Sequence, residues 1–443
     1  MDKIKIVWIC HFSNSEVRKR LPLSTFWFIN FLKRITGKGA RFTHKDFAPW
    51  ITQLLSEFEK TNEVELHIIS PHRGLNRFMY SFNLNDIHYH FFKPELPLHF
   101  DRIAQKIFNR KNTTFRLNRY FVKNFIKKIK PDVVNLFGAE NPYYSITALD
   151  IKEVPVYVLL QTVLATPFMK THNFNVDTYR LEIEEKILKS ANYFGTAGKL
   201  YHDCVMDKNL GANVLEFWFP TQIPPLLPDQ LKEFDFCFFA SGVSQLKGIE
   251  DAIDALSIVA QSNSKAKMNI IGSCNSAYKT YLQNKITSLG LEGNIEFSNH
   301  FPVHADMFKQ VKKSKMAVLP NKLDVISSTI REAMFLEVPV VTTITTGTPF
   351  LNKGSQTVLL SEIGDIKTLA HNMIELLNNP ELSDFLVKNA KKLAEEIFDN
   401  NAIAHKLIED NKAIINHFNN GVPIPEALLF NVSNYPEYRY TAF

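Results

Sequence analysis

The stretch Val318–Val341 constrains the fold most. It begins as a short apolar run and turns through Pro320-Asn321-Lys322-Leu323-Asp324. It then continues from Val325 to Glu337 and ends on Val338-Pro339-Val340. The two ends predict buried parallel strands, because β-branched residues run on without alternation. Between them, Ser327, Ser328 and Thr329 offer three N-cap side chains for a helix carrying Ile330, Ala333, Met334 and Leu336. A strand–loop–helix–strand unit places the loop and the helix N-terminus at the carboxyl edge of a sheet. Open α/β sheets bind ligands there, and free N–H groups and the helix dipole favour phosphate. Asp324 and Glu332, with seven residues between them, flank this turn. One falls in the loop and the other about one turn into the helix. Neither carboxylate can bond a phosphate, but each can accept hydrogen bonds from sugar hydroxyls.

Taken alone, that offset reads more readily as a loop carboxylate and a solvated helix glutamate, since carboxylates are common on exposed helix faces. The residues around it, Pro320, Glu332-Ala333-Met334, Val338-Pro339-Val340 and Thr346-Gly347-Thr348-Pro349, favour function. Together they resemble the Glu-x7-Glu region of retaining glycosyltransferases with the GT-B fold, the family 4 type, with Asp324 in place of the first glutamate. The resemblance implies an α/β chain of two Rossmann-like doubly wound domains facing each other across a cleft. It also implies that Glu332 holds the ribose hydroxyls of a nucleotide sugar and Asp324 the donor sugar, with retention of configuration. The amides near Ser327, Ser328 and Thr329 would meet the diphosphate.

A chain of 443 residues exceeds one core and predicts two or three domains, and 45% hydrophobic with 22% charged residues is ordinary globular composition. The opening Met1–Cys10 run is short and interrupted by Lys5, so it does not read as a signal peptide. No apolar segment reaches bilayer-spanning length. Cys10, Cys204, Cys237 and Cys274 are far apart and form no metal-ligand spacing. They read as buried thiols in a reducing cytosol, and neither metal nor other cofactor is expected.

In chain order, a strand at Ile4–Cys10 leads into a polar loop, His11 to Arg20, and a helix from Ser24 to about Ile35. His11 lies at the ligand-binding edge of the first strand, as a substrate contact or as a core-edge residue. The related enzymes often have a Gly-rich loop here. This chain has Phe12-Ser13-Asn14-Ser15, so Ser13 and Asn14 become the acceptor-side candidates. A helix from Asp46 to Lys60 and strands at Val64–Ile69 and Ile87–Phe92 follow. Pro131 to Gly138 is a strand ending in a turn, and with Ala139-Glu140-Asn141 it resembles a segment of bacterial transferases that build surface polysaccharides. Glu140 is then an acceptor-side carboxylate, or a helix-terminal one. The histidine usual in that segment is replaced by Asn135. Gln161 ends the strand Pro155–Gln161, on the acceptor side. A helix at Val176–Lys189 and strands at Tyr193–Thr196 and Asn213–Phe219 complete this half.

Between Arg102 and Lys130 lie ten Lys or Arg and no Asp or Glu; without those ten the chain's net charge of +6 would be −4. Leu117, Phe121 and Phe125 recur every four residues, with Arg116, Arg119, Lys123, Lys127 and Lys128 interleaved. Three readings fit. The stripe packs on the sheet below a solvated face, the helix lies on an anionic membrane or meets a lipid diphosphate, or the segment binds nucleic acid. A membrane surface is the reading favoured, and nucleic acid is not expected.

Pro220, Pro224, Pro225 and Pro228 mark an interdomain linker. The expected organisation is an acceptor-side domain over 1–219, a linker over 220–232 and a nucleotide-sugar domain over 233–400. A helix and tail over 401–443 would return toward the first domain. In the second domain, Ser241 to Gly248 resembles the family's loop carrying an arginine and a lysine. Lys247 matches the lysine, and Gly242 falls at the arginine. Lys247 is thus implied to neutralise the leaving diphosphate. Gly272 falls at the family's glycine turn after Met268–Ile271, and His300 and Phe301 follow Ile295–Phe297 where the nucleobase would lie. Helices are expected at Asp365–Leu377, Leu382–Ile397 and Ala402–His417. These readings imply a cytoplasmic transferase at or near the inner face of the membrane. It would move sugar from a UDP- or GDP-sugar to a glycan or lipid-linked oligosaccharide. A degenerate partner subunit, or an epimerase or phosphorylase of the same fold, are the alternatives.

Overall fold

The computed structural model describes residues 3–23, 48–95, 114–171 and 176–435. The helix expected over Ser24–Ile35, residues 102–113 of the basic segment and the tail beyond Tyr435 lie outside these. The chain divides into two compact units. One comprises Met1–Ala197, Tyr201–Pro220 and Ile403–Phe430; the other comprises Gly198–Leu200, Thr221–Ala402 and Asn431–Phe443.

The first unit is built on eight strands: β1 (Ile4–Ile9), β2 (Val64–Pro71), β3 (Met79–Leu84), β4 (Ile87–Phe92), β5 (Val133–Phe137), β6 (Val156–Leu159), β7 (Tyr193–Thr196) and β8 (Asn213–Glu216). They lie in the order β3-β4-β2-β1-β5-β6-β7-β8. All neighbours run parallel except the β3–β4 hairpin at the edge. That hairpin turns on Asn85 and Asp86, both left-handed, a pairing whose twist matches the flanking strands. Trp8 is fully buried, its ring 4.9 Å from Phe58 and 5.1 Å from Phe137, so aromatic packing ties β1 to β5 and to the Pro49–Phe58 helix.

The helix Asn400–Asn420 contributes residues from Ile403 onward to this unit. Asn135 in β5 donates to Asn411 Oδ1 at 3.0 Å, and the Tyr157 hydroxyl donates to Asp410 Oδ2 at 3.0 Å. Asn135, which replaces the family histidine, is therefore a buried packing residue under this helix. The polar stretch after β1 is a short helix, Ser15–Arg20, rather than a loop: Asn14 Oδ1 accepts from Val17 N at 2.9 Å, and Glu16 and the closing Arg18, Lys19 and Arg20 suit the dipole.

In the basic segment, the helix Arg116–Ile129 buries Phe121, Val122, Phe125 and Ile126. Phe121 meets Phe92 of β4 and Phe125 meets His90, with ring centroids 6.1 and 5.1 Å apart. Leu117 is left out of that stripe and is exposed. Arg119 is bound by Asp150, its Nε donating to Oδ2 at 2.6 Å. The buried part of the apolar face is thus packed inside the unit, and Arg116, Lys123, Lys127 and Lys128 face solvent beside Leu117 and Tyr120.

The second unit has six parallel strands: β9 (Phe234–Gly242), β10 (Met268–Ser273), β11 (Ile295–Ser298), β12 (Ser314–Leu319), β13 (Val340–Thr343) and β14 (Leu359–Ser361). Their order is β11-β10-β9-β12-β13-β14. Helices at Ile249–Ser262, Ile366–Asn378 and Pro380–Ile397 complete its core. In each sheet the chain reverses its direction of winding once, between β1 and β5 in the first and between β9 and β12 in the second. Such a switch point opens a crevice at the carboxyl ends of the strands.

Candidate functional site

Two of the expected donor-side residues, Lys247 and Asp324, meet at the β9/β12 switch point. The loop after β9 carries Lys247 and the loop after β12 carries Asp324. The Lys247 ammonium donates to Asp324 Oδ2. A second pair crosses the other way, Lys322 Nζ to Asp251 Oδ1 at 2.8 Å, and Lys322 N donates to Leu246 O at 3.0 Å. The loops also meet at Gly248, left-handed at φ +78°, where a Cβ would fall 1.8 Å from Pro320 O. Only glycine permits that approach.

The helix after β12 spans Ser328–Phe335, starting after Ser327, one of the three residues expected to cap it. The stretch before it is held as loop by the segment after β13. Thr345 Oγ1 donates to Val325 O at 2.7 Å, and a Cβ on Gly347 would lie 2.3 Å from the Val325 side chain. Ser327 is the N-cap residue, yet its side chain caps nothing. Its hydroxyl pairs with Thr329 Oγ1 at 2.9 Å, so the expected side-chain capping is absent. Ile330 N donates to Ser327 O at 3.2 Å, and the amides of Ser328 and Thr329 face a ligand or solvent, the arrangement that favours an anion.

Glu332 is buried, not solvated. Burial pushes its carboxyl up to about 7, partly offset by Arg331. Arg331, which the sequence reading passed over, is also buried. Its guanidinium lies 5.6 Å from the Phe398 ring centre, and burial lowers it to about 10 against the opposing pull of Glu332 and Asp324. A charged residue directly before Glu332 on an otherwise apolar helix face was the available signal. The threonines after β13 were also missed. Thr342 and Thr348 hydroxyls bond Leu319 O and Thr343 O at 2.6 and 2.7 Å, fixing the loop that packs on Val325.

Gly242 and Gly272 sit at the ends of β9 and β10. Gly242 is exposed, and a Cβ there would meet nothing within 4 Å; Gly272, at φ +139°, packs against Ala240 O. His300 is exposed and Phe301 half-buried in the turn after β11, two strands out from β9.

In the first unit, His11 after β1 and Gln161 after β6 line one cavity of about 260 Å³ with Trp50, Asn141 and Tyr144. Glu140 adjoins it. Its Oε1 accepts from Asn141 Nδ2 at 2.8 Å, and its buried Oε2 has no partner. Arg180 Nε donates to the Glu140 carbonyl at 2.8 Å. Burial raises the Glu140 carboxyl to about 7, against its own backbone hydrogen bond and Arg180. Burial, Arg73 and His72 lower His11 to about 4, leaving a neutral imidazole at pH 7, edge-on to Tyr143 at 5.5 Å. Glu184, passed over as one of three helix glutamates, is fully buried and accepts from the amides of Leu164 and Ala165 at 3.0 and 2.9 Å. Two candidates fall away from the cavity lining: Asn14 is spent as a helix cap, and Ser13 is buried within reach of Arg18 Nη1 at 3.4 Å.

The carboxylates, the lysine and the uncapped helix end thus share one crevice on a six-stranded parallel sheet. Residues 228–393 match the family described as glycosyl transferases group 1. The fold is that of GT-B glycosyltransferases. Sucrose-phosphate synthase from Thermosynechococcus elongatus superposes with a TM-score of 0.65 at 13% identity, over 92% of this chain and 98% of its own. HepE from Anabaena, in complex with UDP and glucose, superposes with a TM-score of 0.61 at 13% identity, over 92% and 98%. In sequence, the chain is similar to the capsular polysaccharide biosynthesis glycosyltransferase CapM of Staphylococcus aureus, 26% identical over 161 residues. That match spans 36% of this chain and 41% of CapM. Among the described residues no helix is long and apolar enough to cross a membrane.

Proposed function

We propose that this chain transfers a sugar from a nucleotide-sugar donor to a glycan or lipid-linked glycan, with retention of configuration, in the synthesis of a surface polysaccharide. The observation that carries the reading is the meeting of Lys247, Asp324 and an uncapped helix N-terminus at the β9/β12 switch point, with Glu332 in the following turn. The diphosphate would lie against the first-turn amides and the Lys247 ammonium, which stabilise negative charge as the nucleotide leaves, without requiring a metal. Glu332, when ionised, would accept the ribose hydroxyls, and Asp324 a hydroxyl of the donor sugar. Arg331 supports ionisation of Glu332 in an otherwise apolar setting. The similarity to CapM supports a polysaccharide acceptor, and the UDP bound by HepE supports UDP as the nucleotide.

The first unit would take the acceptor, with Glu140, Gln161 and the neutral His11 binding its hydroxyls. The exposed lysines of the Arg116–Ile129 helix would add an electrostatic contact with an anionic membrane carrying a lipid-linked acceptor. A thermal-shift screen of UDP, GDP, ADP, dTDP and CMP, repeated with Glu332→Ala, tests the donor assignment. Stabilisation of the wild type by UDP and its loss in the variant support it. Equal stabilisation of both proteins, or none by any nucleotide, overturns it.

A further inference from the structure

The edge of the first sheet carries a histidine cluster on β2 and β4, apart from the cavity lined by His11 and Gln161. On β2, Glu65 and His67 are two residues apart and share a face. On β4, His88 and His90 do the same, and the register places His88 directly opposite His67. One ligand atom from each of Glu65, His67 and His88 lies within 4.8 Å of the other two. The His67 and His88 rings stack with centroids 4.4 Å apart.

The hydrogen bonds around these rings set their tautomers. His88 Nδ1 lies 2.8 Å from Asn83 Oδ1, an acceptor, so Nδ1 carries the proton and Nε2 presents its lone pair. His67 Nε2 donates to Glu65 Oε1 at 2.9 Å, which makes its Nδ1 the acceptor of His90 Nε2–H at 3.0 Å. His90 Nδ1 in turn accepts from the Ser81 hydroxyl at 2.9 Å. This relay can run in either direction without any residue gaining or losing a proton. With Nδ1–H on both His67 and His90, Ser81 becomes the acceptor and His67 Nε2 is released as a lone pair. Both histidines then have the outer hydrogen bond that orients a metal-bound imidazole.

We propose that Glu65, His67 and His88 form a site for one divalent transition-metal ion of the zinc class, clasping the β3–β4 hairpin to β2. Two imidazoles and a carboxylate suit zinc, with water in the fourth position. Tetrahedral coordination brings ligand atoms to about 3.3 Å from one another, so side chains move by about an ångström to close on the ion. Lys5 Nζ, 3.3 Å from Glu65 Oε1, is displaced in doing so; Glu65 and Lys5 are each about a third exposed, which gives the ion a path from solvent. The ligands lie in the amino-terminal halves of β2 and β4, away from the carboxyl edge that holds His11 and Glu140. The role is therefore structural, and independent of the proposed transfer reaction.

The test is zinc titration of the tag-free, chelator-treated full chain by calorimetry, with thermal unfolding in zinc and in magnesium. One zinc per chain and a melting temperature raised by zinc but not by magnesium are expected. Glu65→Gln and His88→Gln should each weaken the affinity by roughly tenfold or more. Asn83→Ala, at an exposed position, keeps all three ligands but unmoors His88. It should also weaken binding, and it decides the matter if a ligand variant fails to fold. No saturable zinc uptake below about 100 µM, or unchanged affinity in the folded variants, overturns the proposal.

Discussion

The Lys247 ammonium donates to the Asp324 carboxylate, joining the loops that follow β9 and β12. The side chains are 31% and 36% exposed, so solvent screens the pair, and a multiply charged ligand can replace Asp324 at little cost. The Lys322–Asp251 bridge and the Leu246–Lys322 backbone bond hold the loops together independently of it. On the proposed reading, an incoming diphosphate would take over the Lys247 ammonium. Releasing Asp324 from Lys247 would then free that carboxylate for a sugar hydroxyl.

The two glycines of the first of these loops should respond oppositely to substitution. Gly248→Ala forces a left-handed alanine onto Pro320 O. The backbone conformation alone costs about 1–3 kcal/mol, so the urea midpoint should fall and nucleotide binding weaken. Gly242→Arg enters open space and restores the arginine of the resembled family. It should leave the midpoint unchanged and tighten UDP binding by roughly threefold to tenfold. Calorimetry and urea unfolding on both variants check this.

Three buried carboxyls make stability depend on pH. Burial raises Glu140, Glu184 and Glu332 to about 7, against 4.5 for an ordinary glutamate. Between those values the folded chain holds more protons than the unfolded one, so stability is full below about 4.5 and falls as pH rises toward 7. Glu140→Gln mimics the protonated form. It should flatten the decline by on the order of 1–3 kcal/mol, read from urea midpoints between about pH 4.5 and 8. An unchanged slope contradicts the assignment of Glu140.

Much of the strand framework was legible because buried parallel strands leave unbroken β-branched and aromatic runs, as over residues 6–9 and at Val340–Thr343. The β3 strand went unread, since Met79–Leu84 is half-exposed and its turn signal is Asn-Asp rather than Asn-Gly. Lys247, Asp324 and Glu332 were singled out through the resemblance to the GT-B family, and the strand pattern alone placed them after strand ends. Their partners were not legible: the Lys247–Asp324 pair spans 77 positions, and the burial of Arg331 and Glu332 depends on packing against distant segments such as Phe398. The metal expectation rested on cysteines; the grouping of Glu65, His67 and His88 was not legible because His88 comes beside His67 only through strand pairing.

The basic helix separates packing from charge. Phe125→Ala removes a buried ring against His90 and should cost about 3–5 kcal/mol. Leu117→Ala, at an exposed position, should stay within about 0.5 kcal/mol. If the exposed cations meet a membrane, changing Lys123, Lys127 and Lys128 to Gln should abolish salt-sensitive binding to anionic vesicles while leaving stability intact. Vesicle binding that survives this change would discard the membrane contact.

The central claim is that the β9/β12 crevice holds a nucleoside diphosphate. Calorimetric affinities for UDP and for uridine, measured on the wild type and on Lys247→Gln, test it most directly. Lys247 would touch the diphosphate and not the nucleoside. The variant should therefore lose roughly tenfold to a hundredfold in UDP affinity and nothing for uridine. Equal UDP affinity in both proteins, or an equal loss for UDP and uridine, would contradict the account.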